Sequence, residues 1–237
     1  MLSEDSVVLA VVIGDGYIDK QGRIWLKHSI TQRKYAEWKE QLLQEKGFKT
    51  KSKVIPKREG SFSTNDDFSV NCSVTARGKR LREFFYNSGQ KRVPEGVFDK
   101  FGWFEWSILY QDDGRQNKIA HYNTIQNGKR VRVECDPFVN RYEFCFPKFT
   151  DEEMDAAIRS LANLGIEART GWHRKLGQRL LWITKSEAKQ RFYLGVRDRL
   201  IPMMRYKMSA KPAMGYTEKE NKSWLWDKPS VPFQNPA

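Results

Sequence analysis

A short apolar helix that ends in Asp-Gly occurs once in each half of this chain. The copies are Val8-Leu9-Ala10-Val11-Val12-Ile13-Gly14-Asp15-Gly16 and Trp106-Ser107-Ile108-Leu109-Tyr110-Gln111-Asp112-Asp113-Gly114. A carboxylate in that place is electrostatically awkward, because the last carbonyls of a helix already carry partial negative charge. Two such ends brought together repel further unless a cation sits between them. A hard divalent ion suits the arrangement, taking carboxylate, main-chain carbonyl and water oxygens. One Asp-Gly alone is an ordinary helix stop; two, at matching places in similar halves, constrain the fold. Ala10 and Gly14 lie four apart on one face of the first helix and leave room for another helix. Ile108, Gln111 and Asp112 make the second helix bulkier, so contact between them is expected to be asymmetric.

The order of elements repeats with the motif. Ser6–Gly16 reads as a helix capped by Ser3, Asp5 or Ser6. It is followed by a strand at Arg23–Lys27, a helix over Gln32–Lys46, strands at Lys49–Ile55 and Phe68–Ala76, and a short basic helix over Gly78–Asn87. Lys91–Gly96 reads as a linker. Trp103–Gly114 then starts a second series. Strand-like stretches come at Lys118–Thr124, Arg130–Cys135 and Tyr142–Pro147, and Thr150–Leu164 is a helix with Thr150 and Glu153 in capping-box spacing. Ala168–His173 and Leu180–Thr184 pair as strands before a helix over Ser186–Leu200. The expectation is an α+β fold of two pseudo-symmetric αββαββα-like halves, residues 1–95 and 96–214, with an irregular tail over 215–237. A repeat of about 100 residues suggests a pseudo-twofold built from one chain.

Charge narrows the partner. Lys and Arg number 42 against 29 Asp and Glu, a formal net charge of +13. A polyanion is the leading partner class, because a basic face gains binding energy by displacing counterions. Hydrophobic residues make up 39% of the chain and aromatics 13%, too much for a disordered basic tail. The longest apolar run, Val7–Ile13, is too short to span a bilayer, and Glu4 and Asp5 stand where a signal sequence needs cations. Cys72, Cys135 and Cys145 lack CxxC spacing and read as reduced thiols of an intracellular protein, in an organelle, a bacterium or a phage-infected cell. His28, His121 and His173 are scattered and form no metal-ligand spacing, and no glycine-rich phosphate loop is present.

The two motif helices resemble those of the LAGLIDADG homing endonucleases, specifically the single-chain kind with two motif copies. Further matching segments are Gly14–Ile18, Asp112–Gly114, a Lys-x-x-Pro at Lys91–Pro94, and Ile-Pro-x-Met-x-Tyr-Lys at Ile201–Lys207. The first motif departs from the family name at Ile13, and the second places Trp106 and Tyr110 in the helix seam. The resemblance implies motif helices packed at the centre and antiparallel sheets forming a DNA-binding saddle. It implies metal-dependent hydrolysis of one phosphodiester in each strand of a long asymmetric target. Asp15 and Asp113 are its catalytic, metal-binding acids, the carbonyls of Gly14 and Asp112 complete the metal shell, and Lys91 and Lys207 match its catalytic basic positions, where an ammonium polarises water or offsets charge on the phosphorane. Two or more Mg²⁺ or Mn²⁺ ions are shared between Asp15 and Asp113, in a monomer that meets no membrane.

Sheet faces are expected to recognise DNA, since an antiparallel ribbon fits the major groove. The candidate rows are Arg23, Trp25, Lys27 and Ser29; Lys49, Lys51 and Lys53; Asn71, Ser73, Thr75 and Arg77; Arg130, Arg132 and Glu134; and Arg169, Arg174 and Arg179. Double-stranded DNA is the leading partner and intron RNA an alternative one. An RNA-binding maturase and a non-catalytic DNA-binding regulator on the same fold are the competing functions. Both predict decay of the acids, and both acids are present.

Overall fold

The computed structural model describes residues 5–57, 65–126, 129–173 and 177–212; Arg174 and the expected tail over 215–237 lie outside them. The first half runs α1 (Ser6–Ile13), β1 (Tyr17–Ile18), β2 (Ile24–Ser29), α2 (Arg33–Glu45), β3 (Thr50–Ile55), β4 (Asp67–Cys72) and α3 (Ala76–Phe85). The second runs α4 (Trp103–Asp113), β5 (Gly114–Gln126), β6 (Lys129–Phe144), α5 (Asp151–Asn163), β7 (Arg169–His173), β8 (Gln178–Ile183) and α6 (Ser186–Arg197). A 3₁₀ turn at Pro202–Met208 and a two-residue strand β9 (Lys211–Pro212) follow. The αββαββα order is therefore present twice.

Each half forms one antiparallel sheet, ordered β1-β2-β4-β3 and β5-β6-β8-β7, with β9 added parallel to β6. Alternation sets which face is buried. Ile24, Leu26 and His28 of β2 face the helices with Phe68 and Val70 of β4, while Trp25, Lys27 and Ser29 face away. In the second sheet Tyr142, Phe144, Leu181 and Ile183 are buried, and Arg115, Glu143, Trp182 and Arg169 lie on the other face. The two stretches expected at Arg130–Cys135 and Tyr142–Pro147 are one long strand, β6. Its register with β5 shifts at Asn117/Lys118 and Ile119/His121, and such bulges let a long ribbon bend without breaking the ladder.

α1 and α4 pack at the centre. Residues Val7 to Ile13 are all buried, so α1 has no solvent face; each such aliphatic side chain contributes about 1.5–3 kcal/mol. Asp5 caps α1 by accepting from the Val7 amide at 2.9 Å. Ser6 Oγ donates to Glu105 Oε1 at 2.7 Å, tying the start of α1 to that of α4. Trp106 and Tyr110 differ from the expectation that they lie in the seam. Their ring contacts are with Phe98, Phe101, Phe144, Tyr142 and Phe192, all in the second half. Both are four apart on α4 and so share the stripe that faces the second sheet. Thr150 and Glu153 form the expected capping box. No helix is long and apolar enough to cross a membrane among the described residues, and Cys72 and Cys145 are free thiols.

Candidate active centre and nucleic-acid face

Gly14 and Gly114 follow the last turns of α1 and α4 with φ of −64° and −86°, so neither ends its helix in the left-handed conformation that glycine permits. What they supply is space. A Cβ on Gly14 would stand 1.9 Å from Asp112 Oδ2, and one on Gly114 would stand 2.1 Å from the Tyr110 ring. The hole beside Gly14 is filled by the Asp112 carboxylate from the other half. Asp112 Oδ2 accepts the main-chain N–H of Asp15 at 3.2 Å. Its Oδ1 accepts the Tyr35 hydroxyl at 2.6 Å and the ammonium of Lys39. The side chains of Lys39 and Asp112 are both wholly buried.

Asp15 stands at the edge of this cluster. Its Oδ2 is 3.6 Å from Lys39 Nζ and 3.8 Å from His28 Nδ1. Burial works to raise the Asp15 carboxyl, but Lys39, the contact with Asp112, His28 and Lys207 outweigh it and hold it below the usual range. Asp112 is pushed up to about 7 by burial, with Lys39 pulling down and Asp15 pushing up. Asp113 is pushed up to about 6 by burial and by Asp15; among the described residues no side chain forms an ion pair with it. The His28 imidazole is held down at about 4 by burial and by Lys39, so it is neutral at physiological pH.

The two lysines sit in matching places. Lys91 Nζ donates to the carbonyls of Ile13, Gly14 and Gly16 at 2.9, 3.0 and 2.9 Å. Lys207 Nζ donates to those of Gln111 and Asp112 at 2.6 and 2.9 Å. Each ammonium thus caps the negative end of one motif helix. Burial lowers both, Lys91 to about 8, while Asp113, Asp112 and Asp15 pull them back up. Tyr110 fixes the Lys207 segment by donating to the Lys207 carbonyl at 2.7 Å. A cavity of about 600 Å³ opens beside this centre, lined in part by Gly16, Tyr17, Lys91, Asp113 and Phe146.

The donor set fits a hard divalent cation. The Asp15 and Asp113 carboxylates are near enough to influence each other electrostatically, and the carbonyls of Gly14 and Asp112 each already hold a cationic group, the ammonium of Lys91 and of Lys207 respectively. No cluster of three or more His, Cys, Asp or Glu side chains able to hold a metal occurs among the described residues.

The basic rows separate on inspection of their faces. Trp25, Lys27 and Ser29 share the open face of the first sheet with Lys51, Lys53 and Asn71 through direct register. Lys49 and Ser73 extend it, the Ser73 amide donating to the Lys49 carbonyl at 2.8 Å. Arg23 is held near Asp19, whose carboxylate also takes the Trp25 indole N–H at 3.1 Å. Arg130, Arg132 and Glu134 share one face of the β5–β6 ribbon, with Arg132 and Glu134 paired to each other at 3.0 Å. Arg169 is exposed on the open face of the second sheet.

Three candidates lie elsewhere. Thr75 is the N-cap of α3, its hydroxyl accepting from the Gly78 amide. Arg77 is inside α3, over the Phe48 ring and against the Lys46 carbonyl. Arg179 is on the helix side of its sheet, paired with Asp151 at the start of α5. Thr75 and Arg77 lie beyond the end of β4, where strand alternation no longer holds, while Arg179 lies within β8 on its helix-facing side.

Sequence reasoning also missed residues. Lys39 and Tyr35 carry no local signal beyond membership of the Gln32–Lys46 helix, yet both meet Asp112. His28 was set aside for lacking a ligand spacing, yet the inward parity of β2 sends it to Asp15. On the open face of the second sheet, buried Glu143 takes Arg115 on one oxygen and Arg141 on the other, and Arg141 stacks on Trp182 at 4.2 Å. Only the observed register exposes that group.

Comparison with known proteins agrees with this architecture. The described motif lies within a match to the LAGLIDADG DNA endonuclease family over residues 6–191. The homing endonuclease I-WcaI, solved bound to its DNA recognition sequence, superposes with a TM-score of 0.67 at 14% identity, covering 86% of this chain and 85% of that one. I-DmoI in complex with DNA and Mn gives 0.45 at 18% identity, over 81% of this chain and 94% of that one. I-SmaMI bound to uncleaveable DNA gives 0.46 at 10% identity, over 81% and 82%. No curated protein matches the sequence. The family match spans well over half of the chain, both motif helices included, and the protein belongs to the LAGLIDADG DNA endonuclease family.

Proposed function

We propose that this protein is a site-specific DNA homing endonuclease that hydrolyses one phosphodiester in each strand of a long asymmetric target, as a monomer with Mg²⁺ or Mn²⁺. The observation that carries the reading is the centre itself. Two acids stand at the ends of two packed helices, each helix end holds a lysine, and basic sheet faces flank them. Asp15 and Asp113, with the carbonyls of Gly14 and Asp112, are the residues to hold the cations. A divalent ion supplies Lewis acidity and a lowered water pKa. Lys91 and Lys207 place ammoniums where charge grows on a pentavalent phosphorus, and burial makes each more effective there. Lys51, Lys53, Lys27 and Arg169 offer cations to the phosphate backbone. Unlike faces on the two sheets favour a target without symmetry; the similar structure of I-WcaI is of a DNA complex, which supports duplex DNA as the partner.

The test is cleavage of a target recovered by selection from randomised duplexes. With Mg²⁺ the protein is expected to cut it, and Asp15→Asn or Asp113→Asn to abolish cutting while leaving affinity within about twofold. Single variants that cut at the wild-type rate would show the acids are misassigned. Tight binding with no cutting under any divalent ion would make the protein a regulator on this fold.

A further inference from the structure

Asp112 and Gly14 hold equivalent places, each one residue before its acid, but only Asp112 has a side chain. That side chain crosses to the other half. One oxygen accepts the Asp15 main-chain N–H at 3.2 Å, and the other is anchored by Tyr35 and Lys39 of α2. Lys39 also reaches the Asp15 carboxylate, at 3.6 Å. No side chain crosses in the opposite sense: Gly14 offers no carboxylate, and Asp113 feels Lys91, Lys39 and Lys207 only from beyond ion-pair distance among the described residues. A carboxylate wholly buried at a helix interface, filling the hole left by a glycine, is costly unless fully partnered. Here its partners are Lys39, Tyr35 and the backbone of a metal-binding acid.

We propose that Asp112, braced by Lys39 and Tyr35, is a positioning residue that acts across the two halves to hold the main chain and carboxylate of Asp15 in place for cutting. The inference rests on the endonuclease reading for its activity arm and on geometry alone for its second arm. Gly14 admits the carboxylate, the carboxylate fixes the main chain at Asp15, and Lys39 orients the Asp15 oxygens.

Both arms use the full chain with Asp112→Ala and with the pair Lys39→Met/Asp112→Ala, which removes both buried charges and so protects folding. In the first, amide hydrogen exchange without metal or DNA is read at Asp15 and Asp113. The expected result is at least tenfold faster exchange at Asp15 with Asp113 within twofold; equal change at both, or none at Asp15, overturns the proposal. In the second, the selected target carries a different label on each strand, and single-turnover rates are measured with Mg²⁺. Cutting of both strands is expected to slow at least tenfold, because both depend on cations that Asp15 helps to hold. Rates within twofold of the wild type on both strands overturn the proposal while the endonuclease reading stands. A wild-type protein that cuts nothing refutes that reading instead, and the exchange arm still decides the role of Asp112.

Discussion

Replacing Lys39 by methionine tests the polar centre most sharply. Met keeps most of the volume of the side chain but removes its charge, leaving Asp112 buried with two neutral donors, the Tyr35 hydroxyl and the Asp15 amide. Breaking a buried ion pair from one side costs about 3–5 kcal/mol. The retained donors bring the expectation to the lower end, while loss of the ammonium 4.5 Å from the Tyr35 ring adds a fraction. A loss of about 3 kcal/mol lowers the melting temperature by roughly 6–12 °C at this chain length. Asp112→Ala is expected to cost a similar amount, because Lys39 is then the stranded charge. The paired variant loses the attraction and the desolvation penalty together, so its cost is expected to be about 1–2 kcal/mol. The assay is urea and thermal unfolding of all four proteins without metal or DNA, read by tryptophan fluorescence and circular dichroism. A coupling energy of at least about 2 kcal/mol is expected from the cycle. Single-variant losses that add to within about 0.5 kcal/mol in the pair would refute the buried-pair account.

Other expectations follow from the same geometry. Gly14→Ala should cost about 2–3 kcal/mol by driving a methyl into the Asp112 carboxylate, and adding Asp112→Ala should recover at least half of it in the same unfolding assay. Lys51→Ala combined with Lys53→Ala should weaken DNA binding and reduce its salt slope by about 2, whereas Arg179→Ala should leave both unchanged because Arg179 faces Asp151; fluorescence anisotropy across a salt series separates the two.

Much of the architecture was legible because local signals carried it. The capping box at Thr150, the alternation of β2 and the repeated Asp-Gly each depend on neighbours in sequence, and each predicted an element that the structure contains. Misreadings came where contacts are long-range. β6 looked like two strands because its bulges interrupt the period, and Thr75, Arg77 and Arg179 changed surface because alternation was carried past strand ends or lacked the pairing that sets the face.

By itself, then, the sequence determined that two apolar helices end in acids, that the halves repeat, and that the surface is basic enough for a polyanion. Hydrophobic period, caps and charge are properties of short stretches, and they survive without knowledge of what lies across the interior. The tertiary structure alone decided that Lys39 is buried, that Asp112 fills the space over Gly14, and that Asp15 and Asp113 have unlike surroundings. Those facts depend on which side chain from a distant segment enters a hole left by another. A lysine is driven out of water only when a carboxylate some seventy residues away meets it there.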